Sequence, residues 1–354
     1  MQKIWLTRAF VTTFIIEKVL MKASNITKVV NKLIVQKLPV FIWGAPGIGK
    51  SSIVKAIAKE QELEFLDLRL SLLDPTDLKG IPFFNAKTNE GVWAKPSFLP
   101  SNPDSKGILF LDEINTAPPA VQASAYQLIL DRRVGEYELP EGWSIIAAGN
   151  RENDRGVVYK MPPPLANRFV HFEMEVDFDD WKAWAYGAKI DASIIGYLAY
   201  DKSMLFTFDA TSNEKSFATP RSWEYVDSIV KSGIDGDLIL DSISGAVGRE
   251  AAIGYISFKK VMKELPDLNR VLDGTLTELE EEDAKVMMAL AIGLVNALLE
   301  NPSSEAIDNV LKFSLKLPGE FSIMLVKDMQ QNNIDVEGSS EWGEWVREFA
   351  YLLA

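Results

Sequence analysis

The chain has 354 residues, 47% of them hydrophobic and 25% charged, with a formal net charge of −13 at pH 7. That length suits two domains with ample core, and the proportions are those of an ordinary globular protein. The acidic balance argues against a broad nucleic-acid surface, because phosphate affinity rests on clustered Lys and Arg. No cysteine is present, which removes disulfides and thiolate metal sites; nothing points to secretion, and a cytoplasmic location is the expectation. The single histidine, His171, leaves no room for a His-cluster metal site or a Ser-His-Asp triad.

Residues 9–16 are apolar, but Lys3, Arg8, Glu17 and Lys18 interrupt the surrounding stretch. It is too short and too charged to span a bilayer, and no small-residue cleavage site follows. Residues 1–20 therefore read as a dispensable extension, with the folded part starting at Met21. Residues 25–37 read as a helix with Ile26, Val29, Val30, Leu33 and Ile34 on one face.

Val40, Phe41, Ile42 and Trp43 form a short apolar run that reads as a buried strand and stops at Gly44. From there Gly44, Ala45, Pro46, Gly47, Ile48, Gly49, Lys50 and Ser51 fill every fixed place of the phosphate-loop (Walker A) pattern G-x-x-x-x-G-K-[ST]. Ser52 and the residues to 60 are good helix formers, so the loop opens a helix. Glycines at 44, 47 and 49 let backbone N–H groups turn inward, the helix N-terminus adds positive potential, and Lys50 adds a full charge. Ser51 supplies a hydroxyl for Mg²⁺. The stretch reads as a nucleoside triphosphate site.

Residues 64–70 alternate like a strand. Residues 71–104 are rich in Pro, Gly and Asn and read as a long irregular connection, with Phe83, Phe84, Trp93 and Phe98 left unburied. Residues 106–113 are an apolar strand ending in two acids, the second motif (Walker B): Asp112 is placed to hold the Mg²⁺ shell and Glu113 to polarise a water. Residues 118–130 read as a helix and 143–148 as a buried strand closing on Gly149 and Asn150. Asn150 there suits contact with a γ-phosphate or the attacking water, or merely a turn. After Met161 and three prolines, residues 165–169 read as a helical piece and 170–176 as the last strand, in which His171 reads as a satisfied core or edge histidine. Strands alternating with helices imply a parallel, doubly wound α/β sheet with its ligand at the strands' C-terminal ends.

Beyond Asp177 only helices are expected, at 181–189, 193–200, 221–231, 236–264 (one continuous helix), 283–300 and 303–313, with the linker around 187–191. Residues 278–283 form an acidic cluster that reads as a solvated face. Trp342, Trp345 and Phe349 recur at roughly helical spacing, which suits core packing or a docking face.

Residues 44–51, 109–115, Asn150, the run Pro164-Leu165-Ala166-Asn167-Arg168-Phe169 and the run Thr219-Pro220-Arg221-Ser222-Trp223 together resemble an AAA+ ATPase of the MoxR-like, dynein-related branch. The resemblance covers roughly residues 25–265. It implies a P-loop NTPase (AAA+) sheet flanked by helices over 21–188, a smaller all-helical lid over 189–265 and a C-terminal helical extension over 266–354. By resemblance, Asn150 is the first sensor of the γ-phosphate, Arg168 the arginine finger serving a neighbouring subunit, and Arg221 the second sensor. Arg132, Arg133, Arg151 and Arg155 compete with Arg168 for the interface role. The family further implies ATP and Mg²⁺ as cofactors, a homo-oligomeric ring of usually six copies, a protein substrate and chaperone-like output. It also implies a partner carrying a von Willebrand factor A domain. Residues 73–80 resemble the family's segment before a pore-facing insertion, so Phe83, Phe84 or Trp93 would touch a polypeptide, or simply pack on their own domain. Two rival functions remain: an ATP-gated assembly switch, which Glu113 disfavours, and a DNA-directed motor, which the acidic balance disfavours.

Overall fold

The computed structural model describes residues 20–353, apart from 88, 152, 153, 155–158, 160 and 280–282. Most of the expected extension, residues 1–19, thus lies outside the described residues, as do Arg155 and the centre of the acidic cluster. In the first half the elements run β1 (Leu20–Met21), α1 (Ala23–Val35), β2 (Val40–Trp43), α2 (Lys50–Glu60), β3 (Glu64–Arg69), α3 (Pro75–Lys79), β4 (Ile81–Asn85), β5 (Glu90–Ala94) and β6 (Lys106–Asp112). There follow α4 (Pro119–Asp131), β7 (Arg133–Val134), β8 (Tyr137–Glu138), β9 (Gly142–Gly149), α5 (Pro163–Ala166) and β10 (Val170–Met174).

Six of these strands make one sheet in the order β1-β10-β2-β9-β6-β3, with every neighbouring pair parallel. The central strands are buried on both sides, which is why they are written as unbroken apolar runs. Side chains alternate across the sheet. Val40 and Ile42 of β2 join a cluster with Ile26 and Val30 of α1 and Val54 and Ile57 of α2. Phe41 points the other way, into a cluster with Val121, Ala125 and Leu128 of α4. Each such fully buried large side chain contributes on the order of 1.5–3 kcal/mol. β2 lies between β10 and β9, and β9 lies between β2 and β6. Gly44, Asp112 and Asn150, each at or just past the C-terminal end of β2, β6 or β9, are therefore brought to one edge.

The second half is helical: α6 (Phe178–Gly187), α7 (Ala192–Tyr200), α8 (Pro220–Lys231), α9 (Gly236–Val247), α10 (Arg249–Glu264), α11 (Asn269–Leu272), α12 (Ala284–Glu300), α13 (Ser304–Ser314), α14 (Gly319–Gln331) and α15 (Trp342–Leu353). One hydrophobic cluster runs through it from Phe178 to Phe349. Trp345 is 1% exposed within it and donates Nε1–H to Ser322 Oγ at 2.9 Å, with Trp342 stacked on it. These aromatics are core. Among the described residues no helix is long and apolar enough to cross a membrane.

The sheet with its flanking helices and helical C-terminal part matches the expected fold class, with four local differences. Residues 71–104 are not irregular throughout: they hold α3 and the antiparallel hairpin β4–β5. Phe83 and Phe84 on that hairpin are 51% and 66% exposed, and Trp93 and Phe98 are also exposed. Because apolar residues occupy both hairpin faces, no period-2 signal marks it. The helix expected over 236–264 is broken at Gly248, whose φ of 87° lies in the left-handed region that ends α9. Leu20, assigned to the extension, instead pairs with Glu173 in a sixth strand. The β7–β8 hairpin was also unexpected; strands of two residues carry no periodicity.

Candidate functional site

Two glycines of the loop need their conformations. Gly47 has φ 76°, and Gly49, the residue capping α2, has φ 95°; a side chain at either would be strained. Gly47 is also crowded, since a Cβ there would stand 2.8 Å from Thr219 Oγ1. Gly44 is different: its φ is not positive, and an added Cβ would meet Ile48 Cδ1 at 2.5 Å, the end of a flexible side chain, and Met174 O at 3.3 Å. Ala45 and Ile48 are buried, which fixes the loop onto the sheet.

Lys50 opens α2 and folds back across the loop. Its Nζ donates to Gly44 O at 2.7 Å, Ala45 O at 2.9 Å and Asn150 Oδ1 at 3.1 Å. Burial pushes this ammonium down to about 8, against an opposing pull from Asp112 and Asp154. Asn150 is itself held through its backbone, where O accepts from Asn115 Nδ2 at 2.7 Å. Lys50 and Asn150 are thus brought into contact.

Asp112 ends β6, and its Oδ1 accepts the Glu113 N–H at 2.9 Å. Burial pushes its carboxyl above the ordinary range, with Lys50 opposing. An oxygen-rich pair of Asp112 and Ser51 beside a phosphate loop is the hard donor set that Mg²⁺ takes, since that ion keeps waters and substrate oxygens for its other positions. Among the described residues no group of three or more His, Cys, Asp or Glu is placed to hold a metal.

Glu113 stands in the left-handed region, φ 56°, a conformation that costs a non-glycine residue roughly 1–2 kcal/mol. Its carbonyl accepts from Thr116 N at 3.0 Å and Ala117 N at 3.2 Å, which holds the turn. Its side chain is turned to Ser71, whose Oγ donates to Oε2 at 2.5 Å. Ser71 was not foreseen. It follows β3, and β3 pairs with β6 so that Arg69 lies opposite Asp112; only that register brings Ser71 to Glu113.

The second half reaches the loop through α8. Thr219 caps this helix by accepting from Ser222 N at 3.0 Å, with Pro220 in its first turn. The Arg221 N–H donates to Gly47 O at 3.1 Å. Arg221 is exposed, and its charge adds to the downward pull on Lys50. Its backbone thus stands at the loop, while its side chain is exposed. Beside the loop a mostly apolar cavity of about 180 Å³ opens between Ile48, Ser52, Ile53, Met174, Trp181 and Pro220.

Arg168 is not brought to this site. It is exposed just before β10, and Val170 N donates to Pro39 O at the start of β2, whereas the loop follows the other end of that strand. Of its rivals, Arg132 donates to Pro140 O and Trp143 O, both at 2.8 Å, and is committed within the chain. Arg151 pairs with Glu173 at 3.0 Å and donates to Met174 O at 3.1 Å. Arg133 is exposed.

Residues 39–171, the segment with the loop, both acids, Asn150 and Arg168, match the family profile described as "ATPase family associated with various cellular activities (AAA)". The uncharacterized protein YeaC of Bacillus subtilis (strain 168) is 27% identical over 136 residues, which is 37% of this chain and 40% of that protein. The chain thus spans well under half of the curated relative it matches. Among solved structures, NtrX from Brucella abortus in complex with ADP aligns with TM-score 0.38 and 14% identity over 88% of this chain and 68% of that one. The Thermotoga maritima RuvB Holliday junction branch migration motor aligns with TM-score 0.37 and 16% identity over 70% and 76%. Over residues 39–171, the chain is similar to AAA-family ATPases.

Proposed function

We propose that the protein is a Mg²⁺-dependent ATPase of the AAA+ class whose hydrolysis drives the remodelling or maturation of a partner protein. The observation that carries this reading is the convergence of Lys50, Ser51, Asp112, Glu113 and Asn150 at one sheet edge, with Arg221 of α8 resting on Gly47. The loop N–H groups and Lys50 take the β- and γ-phosphates. Ser51 and Asp112 would hold Mg²⁺, whose charge would offset that of the transferring phosphoryl group. Asn150 orients the attacking water or the γ-phosphate, and Glu113 takes a proton from that water once it leaves Ser71. The apolar cavity suits a planar base.

Arg168 acts in the site of a second copy, which makes the working form a homo-oligomer, in this reading a six-membered ring. The division into an α/β part to residue 188, a lid over 189–265 and an extension over 266–354 belongs to the same reading, with nucleotide state moving the lid through Arg221. MoxR-like character, a von Willebrand factor A domain partner and a protein client, touched by Phe83, Phe84 or Trp93, are the corresponding proposals for output. The Glu113→Gln protein is the test. It should retain ATP binding and lose hydrolysis by about 10²-fold or more. Unchanged hydrolysis would remove Glu113 from the chemistry and favour an ATP-gated switch. The same variant held in ATP is the bait for the partner.

A further inference from the structure

The chain's one histidine lies between two parts of the proposed machinery. In the β10–β2 register His171 stands opposite Phe41, with Trp43 diagonal to it. Trp43 Nε1 donates to His171 Nδ1 at 2.9 Å, and His171 Nε2 lies 2.7 Å from Ala166 O. An indole nitrogen can only donate, so Nδ1 is the acceptor and the ring proton sits on Nε2, directed at the Ala166 carbonyl. The chain Trp43–His171–Ala166 therefore has one direction and no spare donor. The rings reinforce it: Phe41 stacks on Trp43 at 4.1 Å and meets Phe169 edge-on at 5.4 Å, and His171 is 5.7 Å from Phe41.

Each end of this chain has a function to serve. Trp43 is the last residue of β2 and precedes Gly44, whose carbonyl takes Lys50 Nζ. Ala166 ends α5, and Arg168 is two residues on, exposed between the buried Leu165 and Phe169. Leu165 and Phe169 fix how deep this turn sits. The Ala166 carbonyl at its end accepts the Phe169 N–H at 3.2 Å and the His171 Nε2–H at 2.7 Å, so His171 adds a side-chain hold on the rotation of the turn that aims Arg168.

We propose that His171, held by Trp43, is a positioning residue for Arg168, setting the aim of the arginine a copy offers to its neighbour. This rests on the in-trans reading of Arg168 given above. A histidine that merely completes the sheet surface would affect whichever copy carries the substitution. A positioning residue affects only the copy that donates the arginine.

Mixed assemblies separate these. Glu113→Gln copies, which keep Arg168 but cannot hydrolyse, are combined with Arg168→Ala copies, which keep the site but lack the arginine. Mixing should recover hydrolysis well above either protein alone. His171→Phe, which keeps a ring and removes both hydrogen bonds, is then added to one partner at a time. Placed on the Glu113→Gln copies it should lower the recovered rate about tenfold, a displacement effect smaller than loss of the arginine. Placed on the Arg168→Ala copies it should change the rate by less than about twofold, a negligible fraction of the arginine's worth. His171→Gln, which returns a donor near Nε2, should restore part of the loss. Equal losses on both partners, or a loss confined to the Arg168→Ala copies, would overturn the positioning role while leaving the in-trans reading intact. No recovery in the parent mixture would overturn the in-trans reading, and the proposal with it. ATP binding by each His171 variant, measured separately, shows that the altered copies are folded.

Discussion

Lys50 illustrates how far a single side chain's surroundings decide behaviour. It is held by two loop carbonyls and Asn150, and burial lowers its ammonium to about 8. Triphosphate oxygens favour the charged form, so binding must raise this group's pKa, and by linkage affinity is strongest where the ammonium is already charged. ATP affinity should therefore be flat in this group below about pH 8 and weaken above it, by up to about tenfold per pH unit. Calorimetry in buffers of different ionisation enthalpy should show proton uptake on binding at pH 9. An affinity unchanged from pH 7 to 9.5 would contradict this. At this scale the sequence was informative where chemistry forces a residue type, as at Lys50, Asp112 and Glu113. It was silent on Ser71, because serine after a strand carries no signal until the β3–β6 register sets it against Glu113. His171 was legible as a satisfied histidine, but its partners depend on which strand lies beside β10.

Among the elements, α6 joins the two halves of the molecule. Its Trp181 walls the cavity beside the loop, while Lys182 is buried against α14, with Nζ 2.5 Å from Asp328 Oδ1 and Tyr186 OH 3.4 Å from Oδ2. Burial holds the Asp328 carboxyl above its ordinary range, and Lys182 offsets this only in part. Such a pair contributes little over an apolar substitute, but breaking it strands a charge. Lys182→Met alone should destabilise by about 3–5 kcal/mol, whereas Lys182→Met with Asp328→Leu should cost only about 1–3 kcal/mol, from the Tyr186 hydroxyl left without its acceptor. Denaturant midpoints of the two proteins provide the comparison, and equal losses would contradict it. Neither residue stood out in the sequence, since a lysine and an aspartate on separate helices read as solvated. The helices themselves were readable as patterned runs, and the one expected over 221–231 lies within α8. Gly248 was not, because a lone glycine inside a helical pattern is often tolerated, and here it ends one helix and begins another. Buried parallel strands were the easiest elements to place, being continuous apolar runs. The exposed β4–β5 hairpin was the hardest.

At the level of the molecule, the sheet's polarity separates the parts of the proposed engine. The phosphate loop follows the C-terminal end of β2, and the turn bearing Arg168 sits by its N-terminal end, about 13 Å away along the four residues of that strand. In the proposed reading, Arg168 therefore serves the phosphate of another copy through a head-to-tail contact, which gives a ring where the rotation between copies closes. The rate of Mg²⁺-ATP hydrolysis per copy, measured against protein concentration at saturating ATP for the native and Arg168→Ala proteins, tests this most directly. The native rate should climb with concentration to a plateau, and the variant, at about 10³-fold lower, should stay flat. A native rate independent of concentration and matched by Arg168→Ala would contradict the composite site.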